Sequence, residues 1–255
     1  MYKDRRQQIK EMLFEKSFVS FEELKSQFPC VSEMTLRRDI NYLQEQGDAV
    51  KVRGGAKSIH TLALQKDETY LCRMSENITP KNHIARAAAQ LLEAERSIFI
   101  DSGSTARRIV PFVPNERFTF TTTNPQTALE LCSIGQPIVN LVGGRLDRDY
   151  QTVSGMQAMK FMEDINIDIA LLCPSGFSAE SGFTGGNYNE CELKRAVVNK
   201  ARTVIMLLDS SKFDRSLPYT FCRLSDIDCL ICDSSLPEEL DREAKNDKIK
   251  IIIAK

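Results

Sequence analysis

Val31-Ser32-Glu33-Met34-Thr35-Leu36-Arg37-Arg38-Asp39-Ile40-Asn41-Tyr42-Leu43-Gln44-Glu45-Gln46-Gly47 reads as one short amphipathic helix with a marked start and stop. Ser32 suits the N-cap, because its hydroxyl accepts a first-turn amide that has no helical partner. Val31 is placed to pack on Leu36 as a hydrophobic staple. Leu36, Ile40 and Leu43 fall at i, i+4 and i+7 and make one buried stripe. On a wheel of about 100° per residue, Met34, Thr35, Arg38 and Tyr42 lie opposite, with Arg37 and Asn41 on the flank. Gly47 ends the helix at a C-cap position. A greasy back and a front of hydroxyl, guanidinium and amide groups suit phosphates and base edges. A merely solvated basic face has the same pattern, so the neighbouring stretches decide.

Residues 4–16 read as a first helix, with Ile9, Met12 and Leu13 inward and Arg5, Arg6 and Lys10 outward. Ser20-Phe21-Glu22-Glu23 is a capping box that opens a second helix through Gln27. Phe21, Leu24 and Phe28 form its apolar side, and Pro29 ends it. A tight turn then separates the second helix from the third, which is helix-turn-helix spacing. After Gly47, Ala49-Val50-Lys51-Val52 alternates as a short strand, and Arg53-Gly54-Gly55 makes a basic turn. Together they form a wing, with Lys51 and Arg53 as its cations.

These residues resemble the DeoR family of bacterial transcription regulators. The matching motifs are Arg5-Arg6-x-x-Ile9, Val19-x-x-x-Glu23-Leu24, Val31-Ser32-x-x-Thr35-Leu36-Arg37-Arg38-Asp39-Ile40-x-x-Leu43 and Gly54-Gly55-Ala56. Arg53 departs from the pattern, since the family usually has histidine or tyrosine there. The resemblance implies that Arg37 and Arg38 lie on the DNA-contacting helix. The full set expected at DNA is Arg5, Arg6, Ser32, Met34, Thr35, Arg37, Arg38, Asn41, Tyr42, Lys51 and Arg53.

The chain has 255 residues, enough for one small and one medium domain, and 42% of them are hydrophobic. Its net charge is −1, and the first 57 residues carry eleven Lys and Arg against nine Asp and Glu. DNA binding must therefore rest on where the charges are placed. No signal-peptide pattern and no apolar run of about 18 residues is present, so a cytoplasmic location is expected. Eight cysteines without a signal suggest reduced thiols. Cys229-x-x-Cys232 has no second pair and lies in an apolar run, so it reads as strand rather than metal site.

Residues 58–79 read as a linker with one short helix at most, between a domain at 1–57 and another at 80–255. Thr79-Pro80 is expected to open the second domain, as N-cap and first helical residue. Short β-rich runs follow at 97–100, 118–122, 138–142, 167–173, 204–208, 228–232 and 249–254, alternating with helical stretches at 106–110, 125–133, 155–164, 189–201 and 237–245. That rhythm predicts an α/β domain with a mostly parallel sheet, whose ligands sit at the carboxyl ends of strands. Asp101-Ser102-Gly103-Ser104-Thr105 joins a strand end to a helix start, and its hydroxyls and amides form an anion cradle. Gly103 is expected to allow close approach and positive φ. Other polar strand ends are Thr121-Thr122-Thr123-Asn124, Val142-Gly143-Gly144 and Asp209-Ser210-Ser211-Lys212-Phe213.

These fragments resemble the DeoR effector domain, with Ser104 in place of a threonine. The resemblance implies a fold similar to ribose phosphate isomerase and a phosphorylated sugar or related metabolite as ligand. It carries phosphate binding to Ser102, Gly103, Ser104 and Thr105, and sugar-binding or pocket-ordering roles to Asp101, Asn124, Glu192 and Lys212. Gly143, Gly144 and Lys194 complete the expected site, with helix-borne lysine more often at the surface than on a ligand.

Three readings follow: a ligand-controlled repressor, a sugar-phosphate enzyme with a DNA-binding head, and a DNA binder without an effector. An isomerase needs a placed general base. His60 and His83 are the only histidines, and neither ends a strand. The repressor reading is preferred, without cofactor, metal or catalytic residue, as a homo-oligomeric dimer or tetramer on double-stranded operator DNA.

Overall fold

The computed structural model describes residues 2–16, 18–29, 31–45, 49–52, 54–58 and 70–255. The chain forms two compact units, Met1–Glu68 and Thr69–Lys255. The expected C-cap Gly47, the wing residue Arg53 and His60 lie outside the described residues.

In the first unit, α1 (Tyr2–Lys16) leads to β1 (Phe18–Ser20), then α2 (Phe21–Gln27) and α3 (Glu33–Glu45). β2 (Ala49–Val52) and β3 (Gly55–Ser58) form the wing hairpin, and β1 pairs antiparallel with β3, giving the order β1-β3-β2. The capping box is complete: Ser20 Oγ accepts the Glu23 amide at 3.1 Å, and Glu23 Oε2 accepts the Ser20 amide at 2.9 Å. Ile9 and Leu13 from α1, Leu24 from α2, and Leu36, Ile40 and Leu43 from α3 close one core. That periodicity was legible because each helix is apolar on a single stripe.

The second unit begins with two helices, α4 (Tyr70–Ser75) and α5 (Ile78–Ala89). The end of the stretch read as a linker thus carries a helix that packs within the sheet unit. Helix α5 does not start at Thr79-Pro80 as expected. Asn77 takes the left-handed conformation at φ 51°, and Ile78 is the first helical residue. Pro80 is tolerated there because the first amides of a helix lack helical acceptors in any case.

Seven strands build the main sheet: β4 (Ser97–Ile100), β5 (Thr119–Thr122), β6 (Ile138–Leu141), β9 (Ile167–Leu172), β12 (Ala201–Leu208), β14 (Cys229–Cys232) and β15 (Lys250–Ile253). Their order is β15-β14-β12-β9-β4-β5-β6, and every pairing is parallel. The intervening strands lie outside this sheet. β7 (Arg145–Leu146) pairs with β8 (Val153–Ser154), while β10 (Gly176–Ser178), β11 (Gly182–Gly185) and β13 (Tyr219–Cys222) form a small antiparallel sheet.

Side-chain alternation explains why the sheet is covered on both faces. Ile98, Ile100, Ile169, Leu171, Ile205, Leu207 and Ile231 enter one core cluster, while Phe99, Ala170, Leu172, Met206, Leu208 and Leu230 enter another. Period-two alternation between two apolar sets leaves no polar face, which is the mark of a parallel sheet sandwiched by helices. Cys229 and Cys232 are buried in β14, and burial pushes both thiols up to about 11.

Strand order also locates the site. From the central pair β4–β9, later strands run outward in opposite directions. The loops leaving β4 and β9 therefore part company, opening a crevice at the carboxyl ends of these two strands.

Candidate functional site

The third helix of the first unit presents the face selected from the sequence. Met34 is 65% exposed, and Ser32, Arg37, Arg38, Asn41 and Tyr42 are exposed, with Thr35 half-buried. Ser32 Oγ accepts the Thr35 amide at 3.3 Å and lies 2.9 Å from Thr35 Oγ1, so the N-cap also orients a hydroxyl. Arg37 is engaged locally, bonded to Glu33 at 2.7 Å and stacked 4.3 Å from the Phe21 ring centroid. Arg38 makes no hydrogen bond, ion pair or ring contact with another described residue. Lys51 reaches Asn41 Oδ1 at 3.3 Å, joining wing and helix on this face.

Arg5 and Arg6 depart from the outward placement expected. Their Nε atoms lie 2.7 and 2.8 Å from the two carboxylate oxygens of Asp39, which is 2% exposed. Arg6 also stacks on Tyr42 at 3.8 Å. A buried carboxylate needs charged partners, and two adjacent arginines supply them. The pair therefore braces α1 against α3, and Arg6 reaches the exposed face through Tyr42.

In the second unit, the strand-end loops of β4, β9 and β12 surround a small cleft. Ser104 and Thr105 line it from the four-residue helix α6 (Ser104–Arg107), Ser175 from the loop after β9, and Asp209 and Lys212 from the turn after β12. Arg73 of α4 closes one side and donates to Ser175 Oγ at 3.4 Å. Lys81 of α5 is buried behind Arg73, donating to the Arg73 carbonyl at 2.6 Å and the Glu76 carbonyl at 3.0 Å. Burial lowers its pKa, partly countered by Asp209.

A buried ionic cluster forms part of the cleft wall, through Glu190 and Lys194. Lys194, on the helix α9 that spans Tyr188–Lys200 after α7 (Pro125–Leu131) and α8 (Met156–Glu163), lies 3.0 Å from both Asp101 and Glu190 and donates to the Cys173 carbonyl at 2.7 Å. Burial works against the Lys194 charge, but the two carboxylates outweigh it and hold its pKa above the ordinary lysine value. Burial pushes Asp101 up despite Lys194. For Glu190, burial is overcome by Lys194, Arg73 and the Ser102 hydroxyl, so its pKa falls. Asp101 also accepts the Ser102 amide at 2.8 Å and the Cys173 amide at 2.9 Å, tying the β4 and β9 loops together.

The expected effector residues thus divide. Gly103, Ser104, Thr105, Lys194 and Lys212 line the cleft. Ser102 points to Glu190, its Oγ 3.1 Å from Oε1. Asp101 orders the loops. Asn124 is a buried cap, accepting the Gln126 and Thr127 amides and donating to the Ser102 carbonyl at 3.3 Å. Lys194 is only 4% exposed, contrary to the surface position usual for a helical lysine. Glu192 does not enter the cluster: Glu190 does, one turn before Lys194, because i and i+4 share a helix face. Gly143 and Gly144 are not among the residues that line the cleft.

The reason given for Gly103 also changes. Its φ is −59°, so no left-handed conformation is required. Space is what demands glycine, since a Cβ there would lie 2.5 Å from Cys173 Cβ. Arg73, Glu190 and Cys173 also line the cleft without having been expected there, and Asp209 lines it from a stretch read only as a polar strand end. Glu190 and Lys194 were visible as an i, i+4 pair after the N-cap Asn187, whereas Arg73 sat in a stretch read as linker. His83 lies half-buried on α5 and does not line the cleft.

Residues 5–62 match the DeoR-like helix-turn-helix domain, and residues 76–234 match the DeoR C terminal sensor domain. The chain is 30% identical over 250 residues to the HTH-type transcriptional regulator GlpR of Haloferax volcanii, spanning 98% of this chain and 96% of that protein. It is 28% identical over 250 residues to the glycerol-3-phosphate regulon repressor of Haemophilus influenzae, with the same coverage of 98% and 96%. Among solved structures it is similar to ribose 5-phosphate isomerase A of Methanocaldococcus jannaschii, at a TM-score of 0.40 and 16% identity over 54% of this chain and 55% of that one. No helix among the described residues is long and apolar enough to cross a membrane. With both of its units matched in this way, the chain belongs to the DeoR family of transcriptional regulators.

Proposed function

We propose that the chain is a cytoplasmic repressor of a carbohydrate-metabolism operon, whose hold on operator DNA is set by a phosphorylated sugar or related metabolite. The observation that carries this reading is the cleft at the β4–β9 crevice, where the hydroxyls of Ser104 and Thr105 face a site walled by Lys212 and Arg73. Hydroxyl donors and fixed cations are what a phosphate oxygen requires. A relative named as a glycerol-3-phosphate regulon repressor supports the same ligand class.

On the DNA side, Arg38 reads base edges, while Ser32, Thr35, Asn41 and Lys51 hold the backbone. Met34 and Tyr42 supply apolar contact. Arg37 and Arg6 contribute from positions already fixed by Glu33 and Asp39, and Arg5 supports Arg6. Arg53 of the wing is assigned to phosphate by sequence alone. One winged head makes few base contacts, so a homo-oligomer that pairs heads on a symmetric operator is part of this proposal. The unit Thr69–Lys255, which begins before the expected boundary at residue 80 and includes Arg73, is its effector-binding and oligomerisation domain, and no catalytic role is assigned.

Ligand changes DNA affinity only if it binds two arrangements of the protein unequally. The test is a thermal-shift screen of phosphorylated sugars, followed by titration of a duplex selected by the intact protein from random sequence. A sugar phosphate that both raises the melting temperature and alters duplex affinity is expected. Melting curves indifferent to every phosphorylated sugar would reject the effector assignment.

A further inference from the structure

The one-turn helix α6 and its C-cap Arg108 carry two kinds of residue in succession. Ser104 and Thr105 face the cleft. Arg107 and Arg108, immediately after, turn away from it and hold α4. Arg107 donates to the hydroxyl of Tyr70 at 3.3 Å, and Tyr70 is 1% exposed. Arg108 donates to the Met74 carbonyl at 2.7 Å and to Asn82 Oδ1 at 3.1 Å, so it also clips α4 to α5. Met74 lies in the last turn of α4, where carbonyls have no helical donor and accept whatever is presented. Neither arginine lines the cleft.

The consequence is mechanical. Helix α6 spans four residues, too short for one end to move independently of the other. Arg107 is held on its far side by Glu130, whose carboxylate accepts from Nε at 3.1 Å. A ligand that binds Ser104 and Thr105 therefore restrains the same turn whose arginines fix both ends of α4. In the chain, α4 is the first described element after the DNA-binding unit.

We infer that Arg107 and Arg108 are positioning residues that couple occupancy of the cleft to the helix Tyr70–Ser75, the start of the connection back to the DNA-binding head. This inference rests on the proposed phosphate site. It adds to the direct contact of Arg73 with the cleft a second tie to α4, through the Tyr70 hydroxyl and the Met74 carbonyl.

Hydrogen–deuterium exchange on the intact protein tests it, with inorganic phosphate as the probe. In the wild type, phosphate slows exchange both at 102–105 and at 70–76, the latter by about threefold or more. Arg108→Met keeps phosphate affinity within about twofold and keeps the slowing at 102–105, but loses more than half of the phosphate-dependent slowing at 70–76, the remainder passing through Arg73, which lines the cleft from α4 itself. A purely structural arginine would raise basal exchange while leaving that phosphate-dependent change intact. Tyr70→Phe removes only a hydroxyl and shows the same loss at smaller amplitude, which keeps the test open if Arg108→Met does not fold. Arg108→Lys, which still donates to one oxygen, restores part of the response. Full slowing at 70–76 in both Arg108→Met and Tyr70→Phe would overturn the coupling and leave the phosphate site standing. Absence of slowing at 102–105 in the wild type would remove the phosphate site, and the coupling with it.

Discussion

Helix α3 and the cleft at the β4 and β9 strand ends both carry cations among carboxylates, yet they use charge in opposite ways. On α3 the cations are at the surface, and the partner of Arg37 is the exposed Glu33. In the sheet unit Lys194 and Lys212 are only 4% and 6% exposed. Surface charge costs little to keep and attracts any phosphate backbone at a range of about 10 Å in ordinary salt. Buried charge is kept only where opposite charge stands beside it, and Asp101 and Glu190 do so for Lys194. One region leaves its cations where a polyanion can reach them, and the other uses charge to tie the β4 and β9 loops together.

The sharpest way to break this contrast is to remove a buried charge. Lys194→Met leaves the buried Asp101 and Glu190 carboxylates without their shared cation and is expected to destabilise the protein by about 3–5 kcal/mol. Thermal unfolding measures it, and a loss comparable to that of a surface lysine would mean that the cluster is not structural. Next comes Gly103→Ala, which forces a methyl into Cys173 and should cost about 1–3 kcal/mol. The same melting curves read this loss; an unchanged transition would show that the β4 and β9 loops separate easily.

On the surface side, stability should be unaffected while DNA binding changes. Arg38→Ala is expected to weaken duplex binding by about 1–3 kcal/mol, and Arg37→Ala by less, because Glu33 and Phe21 already engage that guanidinium. Fluorescence anisotropy separates them, and equal losses would mean that Arg37 leaves Glu33 on binding. Smallest is Lys51→Gln, which should reduce the salt slope of duplex binding by about 0.9 if Lys51 neutralises one phosphate. A slope unchanged by the substitution would place Lys51 off the DNA.

Legibility from sequence followed the same divide. Helix and strand stripes were readable because burial repeats at 3.6 or 2 residues, as in Leu36-Ile40-Leu43 and in the runs that became the seven parallel strands. The strand-end loop Asp101–Thr105 was found for that reason. What failed was the phase of single polar residues. Glu192 was chosen where Glu190 faces Lys194, and Arg5 and Arg6 were set outward where Asp39 draws them in. Charges that pair across the fold leave no periodic trace. The small sheet of β10, β11 and β13 was missed because Gly176–Ser178 and Gly182–Gly185 are too short and glycine-rich to show alternation. Arg73 escaped because a six-residue helix gives too few turns for a stripe.

The most direct test of the cleft as the control site is Lys212→Gln, assayed with the sugar phosphate that stabilises the wild type and with the selected duplex. Calorimetry should show ligand affinity reduced by more than about tenfold, the loss expected from one charge-assisted contact. Anisotropy on the same preparation should show duplex binding unchanged without ligand and unresponsive at ligand concentrations that switch the wild type. Wild-type ligand affinity and a wild-type DNA response in folded Lys212→Gln would place the phosphate elsewhere.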